Sequence, residues 1–140
     1  MHITGHCHCG AVSFEADLNP AKVAICHCED CQRLSGSAFR TVAMVSSDDF
    51  TLLSGSPKEY IKVAESGNER VQAFCGDCGS PLYATSREEG AKVLGLRVGV
   101  IDQRADLVPG VQVWHDKALG WLDQMNDMPV VAGQPPAPAK

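Results

Sequence analysis

Seven cysteines stand in three tight groups along this chain: Cys7 and Cys9, then Cys26, Cys28 and Cys31, then Cys75 and Cys78. A disulfide framework wants an even count and an oxidising compartment, and the odd count argues against one. A thioredoxin-like dithiol needs a βαβ pattern around its Cys-x-x-Cys, and none surrounds these pairs. Inert core thiols do not gather into pairs and a triple. Metal binding is the reading that remains. Four thiolates complete a tetrahedral zinc site, whereas three leave a position for water, a thiol or a carbonyl oxygen. The outer pairs add up to four, and the middle group stops at three.

The outer pairs share a design. In Cys75-Gly76-Asp77-Cys78-Gly79 a two-residue spacer lets both thiols wrap one ion, and Gly79 fits a turn of positive φ where a side chain would clash. Cys7-His8-Cys9-Gly10 repeats the terminal glycine with a tighter spacer. Together Cys7, Cys9, Cys75 and Cys78 read as a structural zinc site pinning the N-terminal strand to the middle of the chain. Cys26, Cys28 and Cys31 read as a second, open zinc site, so the expected cofactor is two Zn²⁺ per chain. Cys28 and Cys31, three residues apart, share one face of a helical turn whose first amides favour thiolate. The fourth position falls to His27, to Asp30, to a distant histidine such as His115, or to no group of the protein. His27 and His8 each sit between two ligands, so their rings point away; His2 and His6 read as exposed N-terminal residues.

Strand signals dominate the rest. Val12, Phe14 and Ala16 alternate with Ser13, Glu15 and Asp17, a half-buried strand ending at Asn19-Pro20. Val23-Ala24-Ile25 leads into the three-cysteine stretch, where one or two helical turns run from near Cys28 to Gly36. Further strands are predicted at 41–45, 50–53, 58–63, 70–74, 81–84, 93–100 and 111–114, with a hairpin turn at Ser66-Gly67-Asn68 and a helical turn over 119–125. Many short strands with frequent turns indicate an all-β architecture. The spacing predicts a single zinc-binding β domain over 1–132 and a disordered Pro-rich tail over 133–140. Trp114 and Trp121 are expected in the core.

At 140 residues and a formal charge of −5 the chain has no basic stripe for a nucleic-acid backbone, and thiolates would make it more negative still. No apolar run approaches the roughly 18 residues of a membrane span. The opening Met1-His2-Ile3-Thr4-Gly5-His6-Cys7 carries no secretory pattern, so the expected location is cytoplasmic. Arg33 and Arg40 are the cations closest to the middle group, and their default reading is as solvated surface charges.

The motifs resemble those of the glutathione-dependent formaldehyde-activating enzyme family, which includes the centromere protein V group. The resemblance is carried by residues 7–14, Cys26-His27-Cys28-Glu29-Asp30-Cys31, residues 74–80, Asp102, Pro109, Trp121 and Asp127-Met128-Pro129. It implies a β-tent fold similar to that of Rab-exchange zinc proteins, structural zinc on Cys7, Cys9, Cys75 and Cys78, and a second zinc on Cys26, Cys28 and Cys31. It also implies carbon–sulfur lyase chemistry that joins glutathione and formaldehyde into S-hydroxymethylglutathione. The expected partners are thus a small-molecule thiol and an aldehyde. Glutathione's two carboxylates would find Arg33 or Arg40 nearby. Many members carry a histidine three residues after the proline matching Pro109; this chain carries Gln112. Two rival readings stand beside the enzyme: a non-catalytic protein-binding module with both zincs structural, and a sensor that releases zinc when its three thiols oxidise.

Overall fold

The structure, a computed structural model, describes residues 1–138. Among the described residues ten strands fall into two sheets. The smaller is antiparallel in the order β1-β2-β5, from His2–His6, Ser13–Asp17 and Phe50–Ser54. The larger has seven strands. Its order is β10-β3-β4-β9-β8-β7-β6, from Val111–Val113, Val23–Cys26, Arg40–Ser46, Val93–Arg97, Pro81–Ser86, Glu69–Phe74 and Lys58–Val63. Every pairing is antiparallel except β10 on β3. One α-helix, α1 (Glu29–Ser35), follows β3, and the remaining helical segments are short 3₁₀ turns. The chain is all-β with short helical turns.

Strand register sorts the side chains of the large sheet. Val23 faces Ala43, Ala43 faces Leu96, Leu96 faces Tyr83 and Tyr83 faces Ala73, so these five share one face. That face packs on Ile3, Val12, Phe14 and Ala16 of the small sheet and its approach. Phe50 bridges the two layers, its ring centroid 5.5 Å from Phe14 and 5.4 Å from Tyr83. Each fully buried Ile, Leu or Phe here contributes about 1.5–3 kcal/mol by leaving water. The opposite face carries a different row: Cys26 faces Arg40, Val42 faces Arg97, and Gln72 faces both Tyr60 and Ala84.

Two expectations need correction. The run 93–100 is strand only to Arg97, after which Val98–Val100 tightens into a 3₁₀ turn. Trp114 and Trp121 are 55% and 47% exposed, so neither belongs to the core. β1 was not foreseen from the sequence. The helical turn expected over 119–125 is the 3₁₀ segment Gly120–Asp127. Residues 133–138 lie outside every strand and helix, while residues 139–140 of the expected tail fall outside the described residues. Among the described residues no helix is long and apolar enough to cross a membrane.

Candidate metal centres

Both cysteine groups close up as the spacing suggests. The sulfurs of Cys7, Cys9, Cys75 and Cys78 lie within 4.8 Å of one another, and so do those of Cys26, Cys28 and Cys31. Four sulfurs bound at 2.3 Å to one tetrahedral ion would stand about 3.8 Å apart. Cys7–Cys9 and Cys9–Cys75 are separated by 3.6 Å and 3.8 Å. These distances are far beyond the roughly 2.05 Å of a disulfide, and all seven cysteines are free. The donor sets therefore fit metal ions, and thiolate-only sets favour a borderline-soft ion such as zinc.

Matching loops build the four-cysteine cluster. One joins β1 to β2 and the other joins β7 to β8. In the first, the Gly10 N–H returns to the Cys7 carbonyl at 3.1 Å; in the second, the Gly79 N–H returns to the Cys75 carbonyl at 2.8 Å. Both glycines have positive φ, 81° and 79°, as the turn after each second thiol requires. The His8 N–H donates to Ser80 Oγ at 3.0 Å and joins the two loops. Cys7 and Cys75 are buried members of the hydrophobic core. Because β1 belongs to the small sheet and β7 and β8 to the large one, this cluster ties the two sheets together at one end.

Ser80 and the Cys9 backbone bond to Cys78 and hold its thiol down at about 5. For Cys9 a hydrogen bond with the Ala11 backbone favours the thiolate, but Cys7 and burial outweigh it and push the thiol up to about 12. Such a split means that Cys9 and Cys78 do not ionise independently, and a bound cation would favour ionising both.

The three-cysteine cluster is made differently. Cys26 ends β3, Cys28 caps α1, and Cys31 lies in its first turn. The Cys31 N–H donates to Cys28 Sγ at 3.3 Å, so a thiol takes the capping role usual for Ser or Asp. All three sulfur-bearing residues are half-buried. Burial opposes ionisation of Cys28, yet that N–H, the neighbouring thiols and Lys62 lower it on balance. Burial, then Cys26 and Cys28, push Cys31 up to about 12. A cleft of about 430 Å³ opens on Cys28, with Lys62, Trp114 and Lys117 among its walls. Lys62 also binds Asp30 at 2.6 Å, fastening α1 to β6. Trp114 is the one non-glycine among the described residues with positive φ, 55°, a conformation strained for so large a side chain.

Of the residues weighed as a fourth ligand, His27 and Asp30 are bonded elsewhere and His115 packs edge-on against the His27 ring. The His27 Nε2–H donates to Gln112 Oε1 at 2.7 Å, and the ring stacks edge-on with His115 and Phe39. Asp30 holds Lys62, and His8 has only its backbone in the other cluster's hydrogen bonds. His2 and His6 are exposed as expected, though paired with Asp17 and Asp102. Among the described residues no fourth His, Cys, Asp or Glu joins the three thiols.

Arg33 is exposed in the last turn of α1, whereas Arg40 is only 7% exposed, which overturns its reading as a solvated charge. Beside it lies Arg97, 9% exposed, which the sequence reading passed over. The signal was a single cation inside the apolar run Val93-Leu94-Gly95-Leu96-Arg97-Val98. A charge in such a run is costly unless something nearby needs it.

An all-β scaffold tied by one thiol cluster and placing a second beside a cleft defines a protein with two unequal clusters that could each hold a metal ion. Residues 2–117 match the family described as glutathione-dependent formaldehyde-activating enzyme, and the chain belongs to that family. It is 29% identical over 79 residues to an uncharacterized lyase of Schizosaccharomyces pombe (strain 972), a match covering 56% of this chain and 54% of that protein. The match thus spans about half the length of that curated relative. A crystal structure of a Rhodobacter sphaeroides protein superposes with a TM-score of 0.60 at 23% identity, over 79% of this chain and 99% of that one, and so shares the fold.

Proposed function

We propose that this chain is a zinc-dependent carbon–sulfur lyase that joins, or in reverse separates, a small thiol and a small aldehyde at the three-cysteine cluster. Glutathione and formaldehyde are the substrates that family membership favours. In the forward direction the thiol sulfur bonds to the carbonyl carbon, the C=O π bond opens, and the thiol's proton ends on the oxygen. The product is a hydroxyalkyl thioether, and no oxidant or reductant is needed. A zinc ion held by Cys26, Cys28 and Cys31 would supply Lewis acidity and a low thiol pKa. The protein's part is to place that chemistry. Cys26 and α1 hold the three sulfurs on a rigid strand end and helix start. The Cys31 N–H and Lys62 favour negative charge at Cys28. The cleft beside Cys28 admits two small reactants to one place, which converts a collision into a proximity problem. Cys7, Cys9, Cys75 and Cys78 would hold a structural zinc.

The observation that carries this reading is the inequality of the centres: four thiols gathered on one side, two of them in the core, and three half-buried thiols beside a cleft with no fourth His, Cys, Asp or Glu among the described residues. Zinc analysis with sulfur-sensitive X-ray absorption tests it. Two equivalents per chain are expected, one all-sulfur and one with three sulfurs and a light atom. Cys28→Ala should keep one equivalent and the folded circular-dichroism spectrum, while adduct formation followed by NMR falls to the uncatalysed rate. Unchanged turnover in that variant sinks the proposal. The exposure of Trp114 and Trp121 favours a second reading, a docking module with both metals structural. That reading requires a wild-type protein with no turnover.

A further inference from the structure

Beyond the reacting groups lies a second feature of the same sheet face. Arg40 and Arg97, both more than nine-tenths buried, converge on Gln72: Arg97 Nη2 donates to Gln72 Oε1 at 2.8 Å and Arg40 Nη1 to the same oxygen at 3.5 Å. Nε of each arginine is buried with no hydrogen-bond partner. Among the described residues neither guanidinium has an Asp or Glu salt-bridge partner. Burial and the charges of Arg40 and Arg70 work against the Arg97 charge, and only Cys31 and Cys26 favour it. Two buried cations with one neutral acceptor between them are short of negative charge. Three thiolates on a dication would supply one unit, against two on the arginines.

The pair is not sealed. A pocket of about 310 Å³ runs over it, walled by Leu34, Tyr60, Phe74 and Gln72 as well as the arginines. Strand register sets one wall of it, Arg40, beside a thiol of the cluster. Arg40 lies directly opposite Cys26 in the β3–β4 ladder, so their side chains leave the same face from Cβ atoms about 5 Å apart. Val42, two residues on, faces Arg97. A small molecule with a sulfur at the cluster and a carboxylate a few bonds away would span that Cys26–Arg40 separation. The guanidinium fork matches a carboxylate in shape, and Tyr60 and Phe74 offer apolar surface to the atoms between.

We propose that Arg40 and Arg97, positioned by Gln72, form a carboxylate clamp that selects a carboxylate-bearing thiol as the co-substrate and orients its sulfur toward Cys26, Cys28 and Cys31. This rests on the reading of the three-cysteine cluster as the site of thiol chemistry. The clamp sets specificity; its arginines do not touch the bond that forms.

Calorimetry on zinc-loaded full-length protein tests the clamp with three probes: glutathione, its diethyl ester, and S-methylglutathione. Wild type should bind glutathione tenfold or more tightly than the ester, by roughly the factor expected for losing charged hydrogen bonds in a buried site. Arg97→Gln and Arg40→Gln should bring glutathione down to the ester's affinity, leave the ester unchanged, and keep the wild-type zinc content. Equal binding of acid and ester by wild type overturns the clamp without reference to any variant's folding. Loss of the second zinc in Arg97→Gln, with acid and ester weakened together, overturns it in favour of a charge-balancing role. The two proposals fail separately. Arginine-dependent binding of S-methylglutathione with no adduct from glutathione and formaldehyde leaves the clamp standing and removes the reaction. Adduct formation at equal kcat/KM from acid and ester does the reverse.

Discussion

Cys28 shows how one side chain can serve two ends. As N-cap it satisfies an orphan amide of α1, and as a thiol it belongs to the cluster, so helix and thiol cluster form together. The same economy governs Gly79, whose φ of 79° lets the second thiol of its loop turn back toward the first. A Cβ there would meet nothing within 4 Å, so the conformation alone decides the cost of a side chain. Gly79→Ala should lose about 1–2 kcal/mol, seen as a Tm drop of several degrees with zinc stoichiometry intact; a Tm equal to wild type would show the loop relaxing elsewhere. Gly79 and all seven ligand candidates were legible because each sits within three residues of its partner. Arg97 and Gln72 were not. They come from strands 25 residues apart, and only the folding of the large sheet brings them to Arg40.

Among the elements, β1 was the least visible and constrains the most. Its five residues hold one large apolar side chain, Ile3, so no alternation marks it as a strand. Its fourth residue, Gly5, leaves room for a neighbour. A Cβ at Gly5 would stand 2.3 Å from Phe14 Cζ and 2.6 Å from the Val100 carbonyl oxygen. The second atom is backbone and cannot swing away. Gly5→Ala should therefore cost about 3 kcal/mol in a urea titration of the metal-loaded protein. A loss under 1 kcal/mol would mean that β1 shifts as a unit. Alternating strands such as β2 were readable because they are apolar on one face only. β9 was misjudged in length because both of its faces are buried, and the run gives no cue for where pairing stops. α1 is attached lightly by comparison. Its ion pair with Lys62 is partly exposed, so Lys62→Ala should move stability by no more than about 1 kcal/mol, measurable as a Tm near wild type.

At the scale of the whole molecule, the two clusters divide labour by position. The four-cysteine cluster joins the small sheet to the large one, and two of its thiols are core residues, so a metal held there and the core would stand or fall together. Structural zinc is worth on the order of 10–16 kcal/mol in small peptides, as much as the roughly 5–15 kcal/mol that holds a whole domain folded. The three-cysteine cluster ties only β3 to α1, and its sulfurs are partly open to solvent. Stepwise metal removal should separate the two. A chelator at pH 7 should take one equivalent first, with near-wild-type Tm and loss of adduct formation. The second should leave only together with the folded state. Acid should follow the same order. Protons compete with the metal for every sulfur, so affinity falls as pH falls, and the site with one sulfur donor fewer yields at the higher pH. Zinc release recorded alongside circular dichroism checks both series. Simultaneous loss of both equivalents would mean that α1 and its cluster are as much a part of the scaffold as the tie between the sheets.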